Sequence, residues 1–134
     1  MSQENVDVVK RAWAAWLRGD RDGVFDWLDP DVEWNTATYE GFPEAGVARG
    51  QATVRRFMDQ WADSWERYEA EADEFIDAAD DRVVVLARHR GYGPDSQAPV
   101  EMQWAQVCTL RDGLVVRVDA YAGWQAALDA AVLR

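Results

Sequence analysis

The sequence predicts a single α+β domain in which helices come first and a sheet follows. Apolar residues recur every three or four positions in the first part of the chain, which is typical of amphipathic helices. The segment RVVVLARH at 82–89 is rich in β-branched residues, as strands are. Residues 102–121, MQWAQVCTLRDGLVVRVDAY, indicate two strands joined by a tight turn at Arg111, Asp112 and Gly113. A chain of 134 residues suits one core, so we expect residues 1–134 to form one domain.

Two helices are predicted before the first strand. Ser2 can cap the first helix and Gly19 ends it, and its apolar stripe comprises Val6, Val9, Trp13, Trp16 and Leu17. Asp20 can cap a shorter second helix, which Asp29 and Pro30 are expected to stop. The apolar positions of this second helix are Val24, Phe25, Trp27 and Leu28.

The middle of the chain predicts a strand, a loop and a third helix. Val32, Trp34 and Thr36 alternate with Glu33 and Asn35, as in a half-buried strand. Glycines and prolines cluster in residues 40–50, which predicts a loop. The third helix follows, with an apolar stripe of Val54, Phe57, Met58, Trp61 and Trp65.

Residues 65–79 fit either a helix or a strand. The spacing of Trp65, Tyr68 and Ala72, together with the glutamate and alanine content, favours a helix. Tyr68, Ala70 and Ala72 also alternate with acidic residues, as in a strand. Beyond this segment, residues 80–81 predict a turn before the strand 82–89, and the alanine-rich residues 124–133 predict a terminal helix.

Charge and cysteine content exclude several kinds of partner. The chain has 25 acidic and 14 basic residues, a formal net charge of -11, which repels phosphate backbones and anionic lipid surfaces. We therefore expect neither a nucleic acid nor a membrane partner. Cys108 is the single cysteine, which excludes an internal disulfide and favours a reducing compartment. No apolar run approaches 18 residues and no signal-peptide pattern occurs, so a cytoplasmic location is expected.

Several segments resemble SnoaL-like domains of the nuclear transport factor 2-like superfamily. They are ENVDVVKRAWAAWLRGD and LDPDVEW near the start, and VRRFMDQWADSW, DDRVVVLARHRGYG and TLRDGLVVRVDAY later, so the similarity extends over residues 6–133. It implies a cone-shaped fold in which a strongly curved, mostly antiparallel sheet wraps around N-terminal helices, and it assigns residues 66–78 to a strand. It also implies a homodimer paired through the outer sheet faces. The superfamily includes steroid isomerases, polyketide cyclases, epoxide hydrolases, dehydratases and binding domains, so the fold alone does not decide the function.

Gln106 shares one face of its predicted strand with four apolar residues, namely Met102, Trp104, Cys108 and Leu110. A buried carboxamide costs about 1–3 kcal/mol unless it is hydrogen-bonded. By the resemblance, isomerases and cyclases have an ionisable Asp or His at the matching position. Glutamine exchanges no proton at neutral pH, but it can orient a carbonyl or polarise a water. Two interpretations stay open: a functional residue of a cavity, or a core glutamine bonded to a tryptophan N–H or a backbone group.

The resemblance to steroid isomerases fails at the residues that carry their chemistry. In the strand VEWNTA, this chain has Trp34 or Asn35, depending on register, where those enzymes have a proton-shuttling Asp. On the first helix, Ala12 matches the position of their tyrosine. None of these three side chains is a base, so steroid isomerase activity is not expected.

His89 is the single histidine and therefore the first candidate for a general base near pH 7. It faces inward if positions 83, 85 and 87 do, and outward if positions 84, 86 and 88 do. Asp119 lies in the segment where some cyclases of this fold keep an acid, yet its alternation with Val118 and Ala120 points it away from the cavity. One histidine without further ligand spacing predicts no metal site.

The eight tryptophans exceed what a core of this size needs, so we expect aromatic side chains to line an apolar cavity. A stripe at helical spacing is also typical of an ordinary core. Cys108 lies on the inward face and is expected to be an inert core thiol. The expected lining residues are Trp13, Trp16, Trp34, Tyr39, Phe57, Trp61, Trp104 and Tyr121.

The leading expectation is a small-molecule enzyme of the cyclase, isomerase or hydratase type, acting on apolar substrates, cyclic ones included, without a cofactor. His89 would be the base, Gln106 the polarising group and Asp119 the acid. The alternative is a non-catalytic small-molecule-binding or dimeric scaffold domain of the same fold. A third possibility is a purely structural dimer whose core is filled.

Overall fold

In the computed structural model, which describes residues 2–36, 46–93 and 100–132, the chain forms four helices and six strands. The helices are α1 (Ser2–Leu17), α2 (Arg21–Phe25), α3 (Gln51–Asp63) and α4 (Trp124–Val132). The strands are β1 (Leu28–Asn35), β2 (Val47–Arg49), β3 (Arg67–Ala78), β4 (Arg82–Tyr92), β5 (Val100–Arg111) and β6 (Leu114–Tyr121). Tyr39, most of the predicted loop 40–50 and Leu133 lie outside the described residues.

The strands form one curved sheet in the order β2-β1-β6-β5-β4-β3. β1 runs parallel to β6, and every other pair of neighbours is antiparallel. Register shifts occur in β3, between Ala72 and Glu74, and in β6, between Val115 and Arg117, and such bulges bend the strands that carry them. The predicted α+β fold, with N-terminal helices inside a strongly curved and mostly antiparallel sheet, is confirmed.

The sheet is apolar on both faces. Its inner face packs on α1, α2 and α3 through a large core that includes Val85 and Ala87 of β4. Its outer face packs on α4 through a second core in which Val84 and Leu86 contact Ala127. Successive residues of a strand point to opposite faces, so a strand covered on both sides has a continuous apolar run. This explains the segment RVVVLARH.

β3 is the strand that the family resemblance implied and that local propensity did not favour. It pairs with β4 over its whole length, from Arg67 opposite Tyr92 to Ala78 opposite Arg82. Cross-strand pairing therefore outweighs the helical preference of glutamate and alanine. Asp80 and Asp81, with φ values of 61° and 57°, form the predicted turn, because aspartate tolerates the left-handed conformation.

Three element boundaries differ from the sequence prediction. α2 ends at Phe25, and Leu28 begins β1 beside Val115 of β6; the register shift that follows accommodates Pro30, which has no N–H to pair. Positions 47–49, expected in a loop, form β2 on the edge of the sheet. α3 ends at Asp63, so Trp65 leaves the helix and its ring packs on Gly91 of β4.

Candidate functional site

A cavity of about 60 Å³ lies between α1, α3 and the inner face of the sheet. Its wall is almost entirely apolar, and six of the eight predicted lining residues are in it: Trp13, Trp16, Trp34, Phe57, Trp61 and Trp104. Val24, Leu28 and Met58 also line it and were not predicted, because apolar residues of a stripe look alike whether they face a cavity or a filled core. The helices and the sheet thus enclose a cavity lined by aromatic side chains within the inner core.

Tyr121 does not line this cavity. It packs in the outer core with α4, because it alternates along β6 with Ala120, which belongs to the inner core. The eighth predicted lining residue, Tyr39, lies outside the described residues.

Gln106 is buried in the wall of the cavity, opposite Val85 of β4 and Ala120 of β6. Its Oε1 accepts a hydrogen bond from Nε1 of Trp13, at 3.1 Å. The side chain is therefore bonded to a tryptophan N–H, as one interpretation expected, and it also borders the cavity. The NH₂ group at Nε2 is the donor that the carboxamide can offer to the cavity.

Two tryptophans of the wall, Trp34 and Trp104, have buried indole nitrogens with no hydrogen-bond partner among the described residues. Leaving a buried donor unpaired costs about 1–3 kcal/mol, and native proteins leave few such groups. Trp65 has a third such nitrogen, which lies outside this wall.

The register of β1 decides which of Trp34 and Asn35 faces the cavity. Trp34 does, whereas Asn35 lies on the outer face and donates a hydrogen bond to Asp119. Ala12 also borders the cavity. Neither cavity-facing side chain, Trp34 or Ala12, can transfer a proton.

Cys108 borders the cavity as a neutral thiol. Burial, reinforced by the negative charge of Asp119, raises its pKa to about 12. Its Sγ lies 4.0 Å from Oε1 of Gln106, to which the S–H can donate. Because thiolate is the nucleophilic form, this cysteine is inert at neutral pH.

His89 faces inward, in line with Val85 and Ala87, and its ring is stacked between two indoles. Its centroid lies 5.1 Å from that of Trp61 and 5.1 Å from that of Trp104. Burial lowers its pKa from 6.5 to about 4, so the ring is neutral at pH 7. His89 is not part of the cavity wall, although Trp61 and Trp104, the two rings that stack on it, are. A depression of about 450 Å³ on the outer face of the sheet includes His89 in its lining, among charged side chains such as Arg88 and Arg90.

Tyr68 is a partner of His89 that the sequence did not single out. Its hydroxyl lies 3.1 Å from Nδ1 of His89. Burial raises the pKa of Tyr68, so the phenol keeps its proton. Its hydroxyl donates a hydrogen bond to Nδ1 when the neutral imidazole carries its proton on Nε2, and accepts one from Nδ1–H in the other tautomer. The alternation of Tyr68, Ala70 and Ala72 along β3 could have indicated that Tyr68 faces inward.

Asp119 lies on the outer face of the sheet, as its pattern along β6 predicted. It accepts hydrogen bonds from Nε of Arg117 at 3.1 Å and from Nδ2 of Asn35 at 3.0 Å. Arg117 also pairs with Glu33 at 2.8 Å. The carboxylate is therefore held in an ion-pair network on the side of the sheet opposite the cavity, and it is not brought together with His89 and Gln106.

The described part of the chain has neither a cluster of metal ligands nor a membrane-spanning helix. No group of three or more His, Cys, Asp or Glu side chains in residues 2–36, 46–93 and 100–132 could hold a metal ion. Over the same ranges, no helix has the length and apolar character to cross a membrane.

Residues 9–118 match the family model of SnoaL-like domains. Among solved structures, TerC co-crystallised with polyporic acid is 21% identical, with a TM-score of 0.79 over 98% of this chain and 99% of that one. A nuclear transport factor 2-like protein of Burkholderia xenovorans is 29% identical, with a TM-score of 0.73 and coverage of 98% and 97%. A candidate polyketide cyclase of Xanthomonas campestris is 22% identical, with a TM-score of 0.73 and coverage of 98% of each chain. No curated protein matches significantly.

Proposed function

The chain belongs to the SnoaL-like domain family, and on that premise we propose that it binds a neutral, mostly apolar small molecule in its inner cavity. The observation that carries the proposal is the wall itself: six aromatic side chains surround the space, and the carboxamide of Gln106 supplies its polar contact. Small-molecule sites have this composition, a largely apolar lining with a few placed polar groups. TerC, a protein of similar fold, was co-crystallised with polyporic acid, which agrees with a small-molecule ligand.

The size of the cavity limits what enters it without rearrangement. Its volume of about 60 Å³ exceeds the roughly 10–15 Å³ that one water needs and is below the roughly 300–1,000 Å³ of sites for drug-sized ligands. We expect one ring or a short apolar group to fit directly. A larger ligand would have to displace aromatic side chains of the wall.

The chemistry available to such a ligand is hydrogen bonding. Nε2 of Gln106 can donate to a carbonyl oxygen and polarise it. The single titratable side chain among the described residues of the wall is Cys108, which keeps its proton at neutral pH. The geometry therefore favours binding, or catalysis by hydrogen bonds alone, over acid–base catalysis within the cavity.

Acid–base catalysis by His89 is the second candidate function. It is favoured by the buried pair of His89 and Tyr68, because the two rings that stack on His89, Trp61 and Trp104, also line the cavity. A His89→Phe variant keeps a ring in the stack and removes the base. Turnover that His89→Phe abolishes, with ligand binding retained, would establish this second function.

The binding proposal is tested with two variants on one helix. Ala12 borders the cavity, whereas Ala14 is exposed on the other side of α1. Ala12→Leu therefore fills the cavity, and Ala14→Leu makes the same change outside it. Quenching of tryptophan fluorescence would be titrated with cyclohexanone, 1-tetralone and anthrone, which increase in size.

We expect saturable quenching by the smallest ketone in the wild type and in Ala14→Leu, and its loss in Ala12→Leu. Equal saturable quenching in all three proteins would place the ligand elsewhere. Quenching that rises linearly with every ketone in the wild type would contradict the proposal and favour a scaffold role.

The homodimer expected from the resemblance stays a prediction, as does the cytoplasmic location. On the outer face, α4 covers the middle strands, and the exposed part of β3–β5 carries ion pairs such as Arg88 with Glu71 and Arg90 with Glu101. A dimer formed through that part of the face would bring charged side chains together, so its stability is expected to depend on ionic strength. Sedimentation equilibrium at low and high ionic strength would measure this.

A further inference from the structure

The carbonyl oxygen of Gln106 is fully used by the protein. Carboxamide oxygens have two lone pairs. Nε1 of Trp13 donates to this oxygen at 3.1 Å, and the thiol of Cys108, whose Sγ lies 4.0 Å away, is directed at the same atom. An acceptor that already faces two donors has little capacity left for a ligand.

Trp13 also fixes which way the carboxamide points. An indole nitrogen is a donor only, so a flipped amide would set the NH₂ of Gln106 against the N–H of Trp13, and both groups would lose their hydrogen bond. Trp13 itself cannot turn away easily. It is buried on α1, and its ring packs against Trp104 with the centroids 5.9 Å apart. The NH₂ group is therefore held on the side of Gln106 that is not occupied by Trp13.

The rest of the wall offers no replacement for the oxygen. Among the described side chains that line the cavity, the remaining ones are aliphatic, aromatic or sulfur-containing, and Gln106 alone has an oxygen atom. The cavity thus presents a hydrogen-bond donor and no free oxygen acceptor.

We propose that Trp13 is a specificity-determining positioning residue: by holding the Gln106 carboxamide in one orientation, it makes the cavity select ligands that carry a hydrogen-bond acceptor, such as a ketone or ether oxygen, over ligands that carry a donor. The inference rests on the proposed function, since it describes which ligands the cavity binds. Trp13 acts on the ligand through Gln106, and not through its own N–H.

The test compares three monocyclic probes in NMR titrations of ¹⁵N-labelled protein. Cyclohexanone carries an acceptor, methylenecyclohexane has the same shape without one, and pyrrole carries a donor. The proteins are the wild type, Trp13→Phe and Trp65→Phe. Trp65→Phe is the matched control, because it makes the same substitution outside the cavity wall, at a residue whose indole nitrogen has no partner among the described residues. Gln106→Met removes the carboxamide altogether and serves if Trp13→Phe does not fold.

The wild type is expected to bind cyclohexanone about 3- to 10-fold more tightly than methylenecyclohexane, the range of one neutral hydrogen bond, and pyrrole more weakly than cyclohexanone. The side-chain NH₂ resonances of Gln106 should move with cyclohexanone, while the indole N–H of Trp13 stays in place. In Trp13→Phe the carboxamide can flip, so the ratio of the affinity for cyclohexanone to the affinity for pyrrole should fall toward one. Trp65→Phe should keep the wild-type preference, and Gln106→Met should lose it.

Equal binding of the three probes to the wild type would overturn the inference and leave the binding function intact. A preference that survives in Trp13→Phe would overturn it as well, because the orientation of Gln106 would then not depend on Trp13. If none of the probes binds the wild type, the proposed function fails, and this inference fails with it.

Discussion

Acid is expected to destabilise this fold through His89. The ring is only 3% exposed, and its burial lowers its pKa to about 4, whereas in the unfolded chain a histidine keeps a pKa of about 6.5. Between these two values the unfolded state binds a proton that the folded state does not, so the free energy of unfolding falls as the pH falls. The pKa difference of about 2.5 units, at 1.36 kcal/mol per unit, corresponds to about 3 kcal/mol, fully present above pH 6.5 and lost as the pH falls to 4.

Urea unfolding at fixed ionic strength, from pH 7 to pH 4.5, measures this effect. The many carboxylates of the chain also titrate in this range, so the wild type is compared with His89→Phe, in which an uncharged ring occupies the space between Trp61 and Trp104. The carboxylate contribution is common to both proteins and cancels in the difference. We expect the stability of the wild type relative to His89→Phe to decrease by about 2–3 kcal/mol over this range.

The reasoning would be refuted if the difference in free energy of unfolding between the wild type and His89→Phe did not change with pH. An NMR titration in which the His89 ring of the folded protein changes protonation near pH 6.5 would refute it as well. Either result would mean that water reaches the imidazole despite the flanking rings.

Two further outcomes follow from the packing of β4 and β5. A methyl group at Gly91 would collide with the ring of Trp65, so Gly91→Ala should lower the free energy of unfolding by about 1–3 kcal/mol in urea, whereas Gly93→Ala, where a Cβ meets no atom within 4 Å, should change it little. Cys108 should react with a thiol reagent at pH 8 only when the protein unfolds, because burial raises its pKa to about 12. Rapid labelling of the native protein would contradict the assigned burial.

Alternation along the strands determined much of the candidate site from the sequence. It placed Gln106 and Cys108 on the inward face of β5 and Asp119 on the outward face of β6, and the structure has them there. The same rule could not orient His89. Every residue in positions 83–87 is apolar, because helices cover β4 on both faces. Alternation then does not distinguish the inward-facing residues from the outward-facing ones.

Elements that depend on neighbours were predicted less well. The composition of β3 favours a helix, and only its pairing with β4 makes it a strand. Leu28 looks like the end of a helix, yet it begins β1 because β6 offers it a partner. Local sequence reports the preference of a segment by itself, and these segments are decided by contacts with residues far along the chain.

By itself, the sequence determined the fold class, the family, the aromatic composition of the core and the need of Gln106 for a hydrogen-bond partner. The tertiary structure decided which residue is that partner. It is Trp13, 93 residues away in the sequence, which meets Gln106 only because α1 packs on the inner face of the sheet. The tertiary structure also decided the state of His89, since a histidine has a pKa of about 6.5 in water and becomes a neutral, buried ring only when Trp61 and Trp104 enclose it. Desolvation and hydrogen-bond pairing are properties of what surrounds a side chain, and surroundings exist only once the chain has folded.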